Sequence, residues 1–118
     1  MAAEKNFENR LKKFLEDEGC WFVKFFANAY TKSGVPDLLV CCNGYFVAVE
    51  VKAPNGKPSE LQKWNIQKIN DINGIAVVLY PDQFDEFKKL IEHLKMGRVF
   101  SAMGTCCGIN ERWSMSCK

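Results

Sequence analysis

The stretch from Val35 to Lys52 constrains the fold more than any other part of the chain. It reads Val-Pro-Asp-Leu-Leu-Val-Cys-Cys-Asn-Gly-Tyr-Phe-Val-Ala-Val-Glu-Val-Lys, with Asn43-Gly44 between two apolar runs. Asn-Gly in that setting is the strongest short-range signal for a β-hairpin, because a type I′ turn needs φ > 0 at both central residues. A two-residue turn also fixes the register. Cys42 then faces Tyr45, and counting back along both strands sets Asp37 directly opposite Glu50. Directly paired residues share a face, with Cβ atoms roughly 4.5–5.5 Å apart. Strand alternation adds Lys52 to that face. Leu39, Cys41, Phe46 and Ala48 complete it and read as core.

Like charges directly opposite one another destabilise a sheet, and charges at the edge of an apolar face are expensive unless something pairs them. Two readings fit. A hard divalent cation such as Mg²⁺ takes oxygen ligands, often one or two carboxylates. Lys52 would then orient or deprotonate an attacking water, or stabilise charge in the transition state. The other reading is an exposed hairpin end in which Lys52 simply pairs with Glu50 or Asp37. The pattern alone leaves both open.

At 118 residues the chain has the length of one domain. Its 47% hydrophobic and 25% charged residues are those of an ordinary globular protein. No apolar run approaches the length of a membrane span, and Met1-Ala-Ala-Glu-Lys-Asn lacks the apolar core of a signal peptide. The expectation is an intracellular protein in a reducing compartment, cytoplasm or nucleus, with no membrane partner. The six cysteines include the adjacent pairs Cys41-Cys42 and Cys106-Cys107, without C-x-x-C or Cys/His finger spacing. They read as reduced thiols, and the three in the tail are the best candidates for zinc. A net charge of +2 permits nucleic-acid binding without demanding it.

Along the chain, Phe7, Leu11, Phe14 and Leu15 recur at helical spacing, predicting a helix from Lys5 to Glu18 that stops at Gly19. Glu8 borders its apolar stripe, and Glu4 also projects onto it. Cys20 to Phe26 reads as a strand, with Lys24 a phosphate-contact candidate or an ordinary edge charge. The small, polar loop 27–34 carries Tyr30, Lys32 and Ser33 and runs straight into Asp37, so it either holds a phosphate or merely connects. The loop after Lys52 contains two prolines and Lys57, a further candidate for nucleic-acid contact. Ser59 to Asn73 reads as a helix with Leu61, Trp64, Ile69 and Ile72 as its buried stripe. Ser59 and Gln62 match a capping box, a purely structural account of Gln62. Ile75 to Tyr80 reads as a strand buried on both faces, parallel to the strand before the helix. Asp82 is expected to cap a last helix built on Phe84, Phe87, Leu90, Ile91 and Leu94, with His93 off the stripe. Residues 1–96 are read as one domain and 97–118 as a tail or extra hairpin.

Pro36-Asp37, followed after the hairpin by Glu50-Val51-Lys52, resembles the PD-(D/E)xK nuclease signature. Gly34 to Leu38, Glu50-Val51-Lys52, Gln62 and Trp64 resemble its VRR-NUC branch, over roughly Phe7 to Leu79. The predicted order α-β-β-β-α-β-α, a mixed sheet flanked by helices, is similar to the restriction-endonuclease core that family shares. The resemblance implies a Mg²⁺- or Mn²⁺-dependent DNA endonuclease. Asp37, Glu50 and the Val51 carbonyl would hold the metal, with Glu8 completing the cluster directly or through water. Lys52 would handle the attacking water, and Gln62 would lie near the reacting phosphate. Stand-alone members of this size look like Holliday junction resolvases, implying a homodimer on branched DNA. Tyr30, Phe100 and Trp113 are the interface candidates. The rival readings are a non-catalytic nucleic-acid-binding module with a relic site, a non-specific DNA nuclease, and an interaction domain whose carboxylates are only salt-bridged.

Overall fold

The structure is a computed structural model describing residues 2–97. The expected tail, with Phe100, Trp113 and three cysteines, lies outside the described residues except for Gly97. The elements are helix α1 (Ala2–Asp17), strands β1 (Trp21–Lys24), β2 (Leu38–Cys42) and β3 (Tyr45–Val51), helix α2 (Glu60–Asp71), strand β4 (Ile75–Leu79), a short 3₁₀ turn (Pro81–Gln83) and helix α3 (Phe84–Met96). The order α-β-β-β-α-β-α is the expected one. A four-stranded mixed sheet runs β1-β2-β3-β4, antiparallel except where β3 and β4 pair in parallel across α2. No helix among the described residues is long and apolar enough to cross a membrane.

The hairpin has the register its turn dictates. Cys42 pairs with Tyr45 and Leu38 with Val49. Asn43 and Gly44 both take positive φ, 52° and 84°, as a type I′ turn requires. Asn43 also ties the turn to α3 by donating to the Leu94 carbonyl at 2.8 Å.

The core lies on the opposite face from the one expected. Leu38, Val40, Cys42, Val47, Val49 and Val51 are buried with Ile75, Val77 and Leu79 against Phe7, Leu11 and Leu15 of α1 and the whole predicted stripe of α3. On the face bearing Glu50, Ala48 is buried but Leu39 is only half-buried, Cys41 is exposed and Phe46 is 46% exposed. The reason is the distribution of helices. Two of the three carry broad apolar stripes, and both are spent on the same face. Only α2 remains for the other, and it packs over β4.

The buried stripe of α2 also needs correcting. Leu61, Trp64 and Ile72 are exposed. The inward positions are Gln62, Asn65, Ile66, Ile69 and Asn70, which follow the same helical spacing displaced by one residue. Three of the five are amides with specific partners. Asn70, for instance, exchanges two hydrogen bonds with the Ala76 backbone at 3.0 and 2.8 Å, standing in for a strand along the open edge of β4. Hydrophobicity alone points the helix the wrong way when its inner face is polar.

Two boundaries differ as well. β1 is shorter than expected: the Phe25 N–H makes one more in-register bond, to the Asp37 carbonyl at 2.8 Å, and the chain then leaves the sheet. Asp82 lies inside the 3₁₀ turn and makes no cap for α3, whose N-cap is Gln83 without a side-chain bond. Pro81, with its fixed φ, favours that extra turn at the helix entrance.

Candidate active site

The site forms where β2 runs out. Lys52 N–H bonds to the Leu79 carbonyl of β4 at 3.0 Å, so the Val51 N–H must point to the other side, toward β2. β2 begins only at Leu38, and the carboxylate of Asp37 takes the missing place: its Oδ2 accepts the Val51 N–H at 2.9 Å. N–H and C=O of one strand residue point to the same side, so the Val51 carbonyl faces the same gap. Pro36 is buried and restrains the chain just before Asp37.

Glu50 is 2% exposed. Its Oε2 accepts from Gln62 Nε2 at 2.9 Å and meets Lys52 Nζ at 3.2 Å. Its Oε1 is buried and has no hydrogen-bond partner among the described residues. Burial and the charge of Asp37 push the Glu50 carboxyl up to about 7, against the pull of Lys52. Glu4 adds to the same push.

Gln62 satisfies two readings at once. Its Oε1 accepts the Ser59 N–H at 2.8 Å while Ser59 Oγ accepts the Gln62 N–H at 3.1 Å, completing the capping box. The remaining amide nitrogen reaches Glu50. The capping geometry therefore aims the donor at the carboxylate.

Glu8 stands on the other side of the sheet. Lys24 pairs with Leu38 and so lies on the α1 face. Its Nζ bonds to Glu8 Oε1 at 2.8 Å and lies 3.6 Å from Asp37 Oδ1. Lys12 meets Glu8 Oε2 at 3.0 Å. Burial raises the Glu8 pKa, but the two ammonium groups outweigh it and hold the acid below its ordinary range. Glu8 is thus joined to Asp37 through Lys24. Among the described residues no three His, Cys, Asp or Glu side chains come together as a metal-holding group. Glu4 lines a shallow cleft with Lys5, Glu8 and Lys24.

The loop residues are placed by a contact that sequence reasoning missed. Asn65, 6% exposed, donates to the Ser33 carbonyl at 3.1 Å and to Leu61 O at 3.0 Å. Gly34, at φ +77°, lies so close to α2 that a Cβ there would sit 2.8 Å from Asn65 Nδ2. The loop that delivers Asp37 is therefore clamped to the helix that holds Glu50. An asparagine at an inward helix position was the available signal, since a buried amide must find partners. Tyr30, Lys32 and Ser33 are exposed on this loop, and Lys57 is exposed on the loop before α2. His93 is exposed on α3, away from these groups.

The α-β-β-β-α-β-α core, with an acid at the end of one hairpin strand and Glu50-Val51-Lys52 on the other, is that of a restriction-endonuclease-like nuclease. Within that class the chain belongs to the archaeal Holliday junction resolvase (Hjc) family, whose model matches residues 2–76. The match spans well over half the chain and contains α1, the hairpin and α2. A search of curated proteins found no match.

Proposed function

We propose that this chain is a Mg²⁺- or Mn²⁺-dependent endonuclease that nicks branched DNA. The observation that carries the reading is the buried Oε1 of Glu50, without a hydrogen-bond partner among the described residues and close enough to Asp37 to feel its charge. A buried carboxylate oxygen without a partner is costly, and an oxygen-only donor set of this size suits a hard cation that keeps several waters. Glu50, Asp37 and the Val51 carbonyl are the groups that would hold it. Such a cation polarises a phosphodiester and lowers the pKa of water.

The protein's own groups have separate tasks. Gln62 and Lys52 fix Glu50 Oε2, leaving Oε1 free for the cation. The Val51 N–H holds Asp37 at the strand end. Lys52 lies next to the carboxylates, where an ammonium can position the attacking water and offset charge developing on the phosphate. Glu8 acts at one remove by holding Lys24 against Asp37. Lys32, Ser33 and Lys57 supply contacts to the DNA backbone, which orient the duplex without reading its sequence. The VRR-NUC likeness of Gln62 agrees with its grip on Glu50.

One site cuts one strand, so paired cuts in a junction need two copies, most simply under two-fold symmetry. The sheet offers a surface for a second copy. Trp21 (66% exposed), Val23 (40%) and Phe46 (46%) share a face with Cys41, and α2 leaves that end of it uncovered. Trp21→Glu or Phe46→Glu should convert a dimer to monomers in light scattering. For metal binding, calorimetric titration with Mn²⁺ should give heat with the wild type and none with Glu50→Gln. Equal binding by both would remove Glu50 from the site.

A further inference from the structure

Two separate clefts border α1. One, lined by Glu4, Lys5, Glu8 and Lys24, belongs to the site above. The other lies between α1 and α3: α1 contributes Asn9, Arg10, Lys13 and Phe14, and α3 contributes Phe84 and Lys88. No described residue lines both, and the mechanism uses nothing in the second.

The floor of this second cleft is aromatic and its rim is cationic. Phe84 is buried, and its ring meets those of Phe7 and Phe14 edge to face at 5.5 and 5.7 Å. Lys88 Nζ lies 4.4 Å from the centre of the Phe84 ring and 5.7 Å from that of Phe14. The Arg10 guanidinium lies 5.3 Å from the centre of the Phe84 ring and 5.6 Å from that of Phe7. Two cations thus share one ring that is anchored in the core. Among the described residues Asp17 is the only carboxylate lining the cleft, and Lys13 takes it at 3.2 Å. Neither Arg10 nor Lys88 has a carboxylate partner among the described residues.

Charge and shape decide the occupant. Two like charges on one patch repel each other, and a bound anion offsets them. The cations lie over the ring faces, so the cleft presents charge and hydrogen-bond donors and not an apolar socket. An acidic peptide would need such a socket for its apolar anchors. A sugar–phosphate backbone needs only the donors, and arginine, lysine and asparagine are among the side chains that hold phosphates. The planar fork of Arg10 matches the geometry of a phosphate. The ring contacts also hold both cationic side chains in place, so less rotamer freedom is lost on binding.

We propose that the α1–α3 cleft, through Arg10, Lys88 and Asn9, is a second contact for the DNA backbone, apart from the catalytic gap and blind to sequence. It grips a flanking stretch of DNA while the gap holds the strand to be cut. The choice of DNA as the anion rests on the nuclease reading above; the anion site itself does not.

The test is equilibrium binding of the full chain to fluorescent four-way junctions of two unrelated sequences, in chelator so that nothing is cut, over a range of salt. Arg10→Met/Lys88→Met keeps an apolar cover on the rings and removes the charges. Its affinity at about 0.1 M salt should be roughly tenfold or more below that of the wild type, by the same factor for both sequences. Its plot of log affinity against log salt should be shallower by about two. Arg10→Lys/Lys88→Arg keeps both charges and should bind nearly as well as the wild type. Lys68→Gln removes a charge that is exposed on α2, and should leave the slope alone. A methionine pair with wild-type affinity and slope overturns the proposal. So does a charge-preserving swap that loses as much as the methionine pair, because packing and not charge would then be at work. A methionine pair that loses binding to polyglutamate but not to DNA also overturns it, since the cleft would then dock an acidic protein segment. A chain that cuts no DNA but loses affinity in the methionine pair defeats the nuclease reading alone. One that cuts while the methionine pair keeps the wild-type slope defeats the cleft alone.

Discussion

Gln62 donates to Glu50 Oε2 at 2.9 Å with the same amide whose oxygen closes the capping box on Ser59. Helix initiation and carboxylate orientation thus share one side chain. The two tasks separate by mutation. Ser59→Ala breaks the cap and should cost about 1 kcal/mol of stability, yet leave the Glu50 contact and the nicking rate nearly intact. Gln62→Ala should cost at least as much in stability. It should also slow nicking roughly tenfold, as expected for loss of one hydrogen bond to a charged group. Thermal denaturation and a nicked-product time course on both variants check this.

The hairpin was fully legible in the sequence, because Asn43-Gly44 admits few turns and a two-residue turn admits one register. The stripe of α3 was legible too, since its apolar residues do nothing but pack. α2 was not. Its inner face carries Gln62, Asn65 and Asn70, chosen for partners that lie outside the helix: Glu50, the Ser33 carbonyl and the Ala76 backbone. The core face of the sheet was misassigned for a related reason. Both faces of β2 and β3 are apolar, and only the helices decide which is covered. The bond from Val51 N–H to Asp37 was also out of reach, because it depends on where β2 ends. The Glu8–Lys24–Asp37 link crosses the sheet, which no local pattern records.

Glu50 should make the metal-free protein sensitive to pH. In the fold its carboxyl is pushed up to about 7, while its ordinary value is 4.5. Between those values the native state holds a proton that the unfolded chain has lost. Stability from this group therefore falls as pH rises through that window and is level above it. Glu50→Gln removes the effect, so the variant should gain on the wild type by on the order of 3 kcal/mol between about pH 4.5 and 7. Added Mg²⁺ or Mn²⁺ at about pH 8 should raise the melting temperature of the wild type but not of the variant. Melting curves across pH, with and without metal, measure both.

The clamp between Gly34 and Asn65 should matter for cutting as well as for folding. Gly34→Ala introduces a Cβ 2.8 Å from Asn65 Nδ2, on a backbone at φ +77° that disfavours side chains. The expected cost is about 1–3 kcal/mol, with a fall in nicking because the loop shift moves Asp37. Asn65→Ala should lose activity in the same way by releasing Ser33. If both variants nick at the wild-type rate, the clamp does not set the position of Asp37.

The central claim is that Asp37, Glu50 and Lys52 together cleave branched DNA with a divalent metal. The most direct measurement is cleavage of a four-way junction by the purified full chain, with Mg²⁺ or Mn²⁺ and with chelator, alongside Asp37→Asn, Glu50→Gln and Lys52→Ala. The account predicts paired nicks in opposing strands by the wild type in metal only, a linear duplex cut far more slowly, and no cleavage by any of the three folded variants. Cleavage that persists in chelator, or full activity in any one of the variants, would contradict it.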